Sequence, residues 1–384
     1  MTTSVLYRKL ETASGHFIGE ATLNSEKTLN SLTLEMIQSL SAQLDKWELD
    51  PSIAVVWLQG SGTKAFCAGG DIRKLYEQMI EAKKTGDTSF ADEFFVAEYS
   101  LDYKIHTYSK PLIVWGHGIV MGGGLGLLAG ASCRIVNETT KLAMPEITIG
   151  LYPDVGASWF LNQMPEGVGL YLGLTGTRLN GAETLLVGLV DYFVKSDFKE
   201  KLQADLAQAP WGSDPRANLL NLKRICASSD EICKSSRPAT PLKDHLAFMA
   251  KLTRFSSVEE IEAFWQSTLS TLQTDPWILQ GLETFKKGSP TSAKVTFEQI
   301  KRGKKISLRE TFMMEAIMTI QFSRGHDFPE GVRALIIDKD NSPKWKPSTL
   351  ESVSAAEVQK YFTSPWGSSP NPLEKLPIKE KIRC

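Results

Sequence analysis

Residues 111–133 read Pro111-Leu-Ile-Val-Trp-Gly-His-Gly-Ile-Val-Met-Gly-Gly-Gly-Leu-Gly-Leu-Leu-Ala-Gly-Ala-Ser-Cys133, with no Lys, Arg, Asp or Glu. The stretch is about long enough to span a bilayer. Seven glycines and His117 punctuate it, and the punctuation divides it into a buried strand from Pro111 to Trp115, a glycine-rich turn, and a buried helix to Ala131. Uniform apolarity of that kind belongs equally to the core of a soluble α/β protein. The neighbouring sequence agrees. Upstream, Ile53 to Leu58 reads as another buried strand, preceded by an amphipathic helix from Leu32 to Trp47 whose apolar face is Leu32, Met36, Ile37, Leu40 and Leu44. Downstream, Cys133 to Val136 and Lys141 to Ala143 read as strands. Such alternation predicts an α/β layered domain rather than a bundle or a sandwich.

The chain has 384 residues, enough for two cores. Its 43 basic and 44 acidic residues give a net charge of −1, so no excess positive field exists to gather nucleic acid or anionic lipid. Cys67, Cys133, Cys226, Cys233 and Cys384 are odd in number, spread out and without a Cys-x-x-Cys pair, which predicts reduced thiols. Met1 to Leu10 lacks the apolar core of a secretory signal, so the expected location is cytoplasmic, or an organellar matrix after trimming.

From about Lys195 strand signals fade, which places a core at 1–200 and a mostly helical region at 201–350. Helix starts are legible there: Ser257-Val-Glu-Glu260 and Ser307-x-x-Glu310 are capping boxes, and Asp275-Pro276 and Ser289-Pro290 put a capping side chain before a first-turn proline. After Ser307, the residues Phe312, Met313, Ala316, Ile317 and Ile320 share one face, read as core packing. Residues 351–384, rich in Pro, Ser and Lys toward the end, are expected to form a loosely ordered tail.

Several chemistries lack their residues. His16, His106, His117, His245 and His326 stand far apart, so no zinc site is expected. No Gly-x-Ser-x-Gly elbow or Walker loop occurs, and Gly124-x-Gly126-x-x-Ala129, with Glu138 as a distant acid, is a weak dinucleotide motif that glycine clusters produce by accident. What remains is a constellation. Ala65-Phe-Cys-Ala-Gly-Gly-Asp71 and Met121-Gly-Gly-Gly124 are glycine turns able to aim two main-chain N–H groups at one oxygen. Either alone would be an ordinary structural turn. Ala143-Met-Pro-Glu146 and Gly150-Leu-Tyr-Pro-Asp154-Val-Gly156 then place acids amid apolar residues, a setting that raises a carboxyl pKa toward that of a general acid or base.

These residues resemble the crotonase, or enoyl-coenzyme A hydratase/isomerase, superfamily, and within it the branch that hydrolyses 3-hydroxyisobutyryl-coenzyme A. The narrower likeness rests on Ala65 to Asp71, on His117-Gly-x-x-Met-Gly-Gly-Gly124, on Met144-Pro-Glu-x-x-Ile-Gly-Leu-Tyr-Pro-Asp-Val-Gly156 and on Leu174-Thr-Gly-x-Arg-Leu179. It continues through Gly288-Ser-Pro-Thr-Ser-x-Lys-Val295, Arg324-Gly-His-Asp-Phe328, Glu330-Gly-Val-Arg-Ala334 and Ser342-Pro-Lys-Trp-Lys-Pro347. The resemblance implies a spiral of ββα units with a helical C-terminal region, and an acyl-coenzyme A thioester as substrate, with no resident cofactor or metal. It implies oxyanion donors at the N–H groups of Gly70 and Gly123, catalysis by Glu146 with Asp154, and a substrate-pocket role for Glu98, which would otherwise pass as a solvated helix acid. Relatives of this kind often form homo-oligomers. Hydratases carry a second glutamate at the position of Gly126, so a bare glycine there points to hydrolysis of a short 3-hydroxyacyl thioester, as in valine catabolism. A hydratase or isomerase, or a catalytically silent binding protein, is the alternative. Ala157 and Ser158 depart from the glycines common after Asp-Val-Gly, near the implied acyl pocket. Basic residues near the turns, such as Lys64, Arg73 and Lys74, could meet coenzyme A phosphates, yet exposed basic residues are usually just solvated.

Overall fold

The computed structural model describes residues 3–272 and 275–379; Cys384 lies outside them. The strands are Val5–Glu11 (β1), Phe17–Leu23 (β2), Ile53–Gly60 (β3), Ala65–Cys67 (β4), Leu112–Gly116 (β5), Ile119–Met121 (β6), Cys133–Val136 (β7), Lys141–Ala143 (β8), Leu179–Asn180 (β9) and Tyr192–Phe193 (β10). They form a six-stranded sheet in the order β1-β2-β3-β5-β7-β10 and a four-stranded sheet in the order β4-β6-β8-β9. Apart from the β1–β2 and β8–β9 pairs, neighbours are parallel.

The order reveals a repeated ββα unit. β3 enters the large sheet, β4 the small one, and the helix Ile72–Thr85 follows; β5, β6 and the helix Gly123–Gly130 repeat the pattern, and β7, β8 and the short helical turn Glu146–Ile149 repeat it again. Each candidate segment therefore leaves the same small sheet just after its strand. This is the α/β spiral expected. The short β6 was read as part of a turn; three residues carry no periodicity that would reveal a strand.

The first helix spans Leu34–Leu49 rather than starting at Leu32, because Thr33 caps it through the Met36 N–H. Leu32 is used elsewhere: its N–H donates to Gly69 (2.8 Å) and its carbonyl accepts from Asp71 (2.8 Å), which pins the first glycine turn. The apolar stretch that opened the question is interior. Every residue of Gly123–Gly130 is buried, and among the described residues no helix is long and apolar enough to cross a membrane. Cys67, Cys133, Cys226 and Cys233 are free thiols, all buried.

Beyond β10 the described regular elements are helical. Asp275 and Ser289 cap their helices as read, and Ser307 with Glu310 closes a reciprocal box. At Ser257 the box is half formed: its hydroxyl takes the Glu260 N–H (3.2 Å), while the Glu260 carboxylate turns to the Ser256 N–H (2.7 Å). The helix Leu308–Arg324 buries Phe312, Ala316 and Ile320, with Met313 and Ile317 half-buried, and lies along the helix Ser89–His106.

The expectation of a loose tail is corrected as far as residue 379. The segment folds back through main-chain acceptors, which composition does not report: Tyr103 donates to the Pro377 carbonyl (2.7 Å), Arg309 to the Leu376 (3.0 Å) and Glu374 carbonyls, and Asn371 to the Met313 carbonyl (2.8 Å). Leu373 is fully buried. Leu373→Ala is therefore expected to lower unfolding free energy by about 2–4 kcal/mol, as for other buried leucines. A denaturant melt that stays unchanged would show that the segment contributes nothing to the core.

Candidate active site

Gly70, Gly123, Glu98, Glu146 and Asp154 all line one cavity of about 440 Å³. Four elements bring them together: the turn after β4, the helix Ser89–His106, the N-terminus of the helix after β6, and the segment after β8 that carries Glu146 and Asp154. Neither the Gly70 nor the Gly123 N–H donates to a protein acceptor among the described residues. For Gly123 this follows from its place in the first helical turn, where N–H groups have no intrahelical partner. A side chain would be crowded at both positions, more severely at Gly123. A Cβ on Gly123 would lie 2.2 Å from Glu98 Oε1, and one on Gly70 would lie 3.0 Å from Phe94 Cζ.

Glu98 comes from the helix Ser89–His106 and is 3% exposed, Glu146 opens the turn Glu146–Ile149 at 5%, and Asp154 is also 5% exposed. Glu146 Oε1 lies 3.4 Å from where a Cβ on Gly122 would stand, so the acid faces the second glycine turn. Its other oxygen, Oε2, and Glu98 Oε1 are buried without hydrogen-bond partners among the described residues. Asp154 Oδ2 accepts a hydrogen bond from the Tyr99 hydroxyl at 2.7 Å. Burial, reinforced by the Asp154 charge, pushes Glu98 and Glu146 well above the usual carboxylate range. Burial pushes Asp154 up to about 6, with the Tyr99 hydrogen bond pulling the other way.

Two buried acids were missed by the sequence reading. Asp102, one helical turn after Glu98, is fully buried, and burial together with Glu98 raises it strongly. Its Oδ2 lies 2.7 Å from where a Cβ on Gly126 would be. A side chain at the position read as lacking an acid would thus meet Asp102, and equally Val155 Cβ at 2.7 Å. The i, i+4 spacing of Glu98 and Asp102 was the available signal. Glu315, in the helix Leu308–Arg324, is the second, pushed by burial up to about 8. Like charges buried this close cannot all ionise, so the cluster retains protons near neutral pH.

Other residues singled out in the sequence lie outside the cavity lining. Ala157 and Ser158 are fully buried but neither lines the cavity; the Ser158 hydroxyl accepts from Gln299 Nε2 (2.9 Å). Lys64, Arg73 and Lys74 do not line it either: Arg73 reaches the Ile336 carbonyl (3.2 Å) and Lys74 pairs with Glu77 (3.7 Å). The exposed Arg178 does line it. A larger cavity of about 620 Å³ beside Met164, Phe255 and Phe297 contains none of the candidate residues.

The chain that builds this geometry, two unpaired glycine N–H groups facing buried acids on a ββα spiral, has relatives among known proteins. The profile described as enoyl-CoA hydratase/isomerase matches residues 18–362, and the chain belongs to that family. Within it, the chain is 43% identical over 366 residues to the mitochondrial 3-hydroxyisobutyryl-CoA hydrolase of Danio rerio, covering 94% of this chain and 90% of that protein. The human protein of the same name is 38% identical, covering 90% of this chain and 86% of its own length. Two solved structures superpose at TM-score 0.81. One is a carnitinyl-CoA dehydratase from Mycobacterium thermoresistibile, 31% identical, covering 94% of this chain and 97% of that one. The other is an enoyl-CoA hydratase from Rhodobacter sphaeroides, 32% identical, covering 95% and 98%.

Proposed function

We propose that this chain hydrolyses short 3-hydroxyacyl-coenzyme A thioesters, 3-hydroxyisobutyryl-coenzyme A first, to the free acid and coenzyme A, a step of valine catabolism. The observation that carries this reading is the meeting of the unpaired Gly70 and Gly123 N–H groups with Glu146 and Asp154 in one cavity, with no side chain at Gly126. The thioester carbonyl oxygen sits between the two N–H groups, which stabilise the negative charge that develops during attack. Glu146 removes a proton from water as it attacks the carbonyl carbon, or attacks directly to form an anhydride that water then opens. In either route the C–S bond breaks and the departing thiolate takes a proton. Asp154, poised near neutrality, binds the 3-hydroxyl and supplies that proton. Glu98 borders the acyl group beside both glycines, and Arg178 at the mouth offers a charge to a coenzyme A phosphate. This scheme uses no resident cofactor.

A hydratase is the competing reading, since the two similar solved structures carry hydratase and dehydratase names. Hydratases carry, besides an acid at the position of Glu146, a second one at the position of Gly126; that position has no side chain here, and Asp102 behind it is outside the cavity lining. Thiol release from a panel of 3-hydroxyacyl, saturated and enoyl thioesters separates the two, because only hydrolysis liberates a thiol. Asp154→Asn is expected to lose about a hundredfold on 3-hydroxyisobutyryl-coenzyme A and distinctly less on isobutyryl-coenzyme A. Equal losses on both would remove its role in recognising the hydroxyl.

A further inference from the structure

The backbone around Asp154 is strained. Val155, a β-branched residue, sits at φ 54° and Gly156 at φ 91°, two consecutive left-handed residues directly after the acid. Glu315, from a helix about 160 positions downstream, holds this turn from behind: Oε2 accepts the Gly156 N–H at 2.6 Å and Oε1 accepts the Ser158 N–H at 2.8 Å. One helical turn on, the Thr319 hydroxyl lies 2.5 Å from the Tyr99 hydroxyl and 2.6 Å from that of Tyr152. Tyr99 donates to Asp154 Oδ2 (2.7 Å), and Tyr152 donates to the Glu315 carbonyl (2.7 Å).

Three hydroxyl hydrogens serve these four contacts. With Asp154 ionised, Tyr99 donates to it, Tyr152 to the carbonyl and Thr319 to one tyrosine, which leaves one contact without a hydrogen. A proton on Asp154 supplies the fourth, and the chain then runs from Asp154 through Tyr99, Thr319 and Tyr152 to the carbonyl.

We infer that Glu315 and Thr319 are positioning residues for Asp154: Glu315 fixes the turn that aims it into the cavity, and Thr319 sustains its protonated form. The inference rests on the reading of Asp154 given above. The titratable groups facing Asp154 are Glu98, Tyr99 and Asp102 from the helix Ser89–His106, Glu146 and Tyr152 from neighbouring turns, and Glu315, while His106 Nε2 stands 3.7 Å from where a Cβ on Gly156 would be. None is a lysine or arginine, so no fixed positive charge opposes the burial that favours the neutral acid, and the complete donor–acceptor chain through Thr319 adds to it.

The test compares thiol release from 3-hydroxyisobutyryl-coenzyme A and isobutyryl-coenzyme A. Glu315→Gln turns an amide N–H₂ toward one of the two main-chain donors. It is expected to lower the preference for the hydroxylated substrate at least fivefold while isobutyryl turnover stays within about threefold. Adding Val155→Gly, which removes the penalty for a branched residue at positive φ, is expected to restore part of that preference. Thr319→Val keeps the Tyr99 hydrogen bond to ionised Asp154 but removes the hydroxyl that Tyr99 donates to when Asp154 is protonated, so the alkaline limb of kcat is expected to move to lower pH, and this variant decides the question if Glu315→Gln does not fold. Parallel losses on both substrates with an unmoved alkaline limb would show a merely structural role and overturn the inference, as would no change in either variant. A wild-type chain that releases no thiol would overturn the functional reading and this inference together; one that discriminates by the hydroxyl while both variants do the same overturns this inference alone.

Discussion

Glutamine in place of Glu146 is expected to reduce thiol release from 3-hydroxyisobutyryl-coenzyme A by about a thousandfold, within the range lost when a general base is removed. The substitution keeps the volume of the side chain, and no hydrogen bond to Oε2 is lost because none is made among the described residues. The turn Glu146–Ile149 is held by the main chain, through Leu151 N–H to the Glu146 carbonyl (3.0 Å) and Ser289 N–H to the Ile147 carbonyl (3.1 Å). Neither bond involves the carboxylate. An amide can neither accept a proton from water nor attack a thioester, so both routes open to Glu146 close together. Burying an amide also replaces a carboxyl whose ionisation burial opposes, so the thermal midpoint should hold or rise. Turnover within tenfold of wild type would remove Glu146 from the reaction, whereas a collapsed melting transition would mean that folding, not chemistry, was tested.

The parts of this site that sequence made legible are local. Gly70, Gly123, Glu146 and Asp154 sit in short motifs where a few neighbouring residues fix the backbone, and the family resemblance supplied their grouping and the role of Glu98. The parts that escaped depend on contacts across the chain. Glu315 and Thr319 lie on the same buried surface as Phe312, Ala316 and Ile320, and polar residues within an apolar stripe look like its edge until a partner such as the Gly156 N–H is known. The downstream motifs could be matched but not interpreted. They buttress the Glu146 turn: a Cβ on Gly150 would stand 2.2 Å from the Asp327 carbonyl oxygen and one on Gly331 would stand 2.3 Å from the Ile149 carbonyl carbon, while Ser289 donates to Asp327 Oδ2 (2.7 Å). The segment up to residue 379 misled for a related reason: Leu373 and a few carbonyl acceptors anchor it, and neither has a periodic signature.

Alanine at Gly123 is the sharpest test of where the carbonyl oxygen binds. Its Cβ would stand 2.2 Å from Glu98 Oε1 and 3.1 Å from Leu32 Cδ1, both buried, so the helix N-terminus must retreat or Glu98 must turn away. Turning Glu98 away is the cheaper relief, since only the end of its side chain is met, and alanine is no worse a helix former than glycine. The damage should therefore appear in catalysis. Displacing one oxyanion donor typically lowers kcat by about 10²–10³, and a loss of that size, with a smaller change in KM, is expected here. Gly70→Ala supplies the internal comparison: its Cβ meets the Phe94 ring edge at 3.0 Å and Glu98 Oε1 only at 3.8 Å. A ring edge can yield by a few tenths of an ångström, so a loss nearer tenfold is expected. If the larger loss fell at Gly70, or if both variants kept wild-type kcat, the oxygen would not lie between these two N–H groups, and Glu146 would be acting on a carbonyl held elsewhere in the cavity.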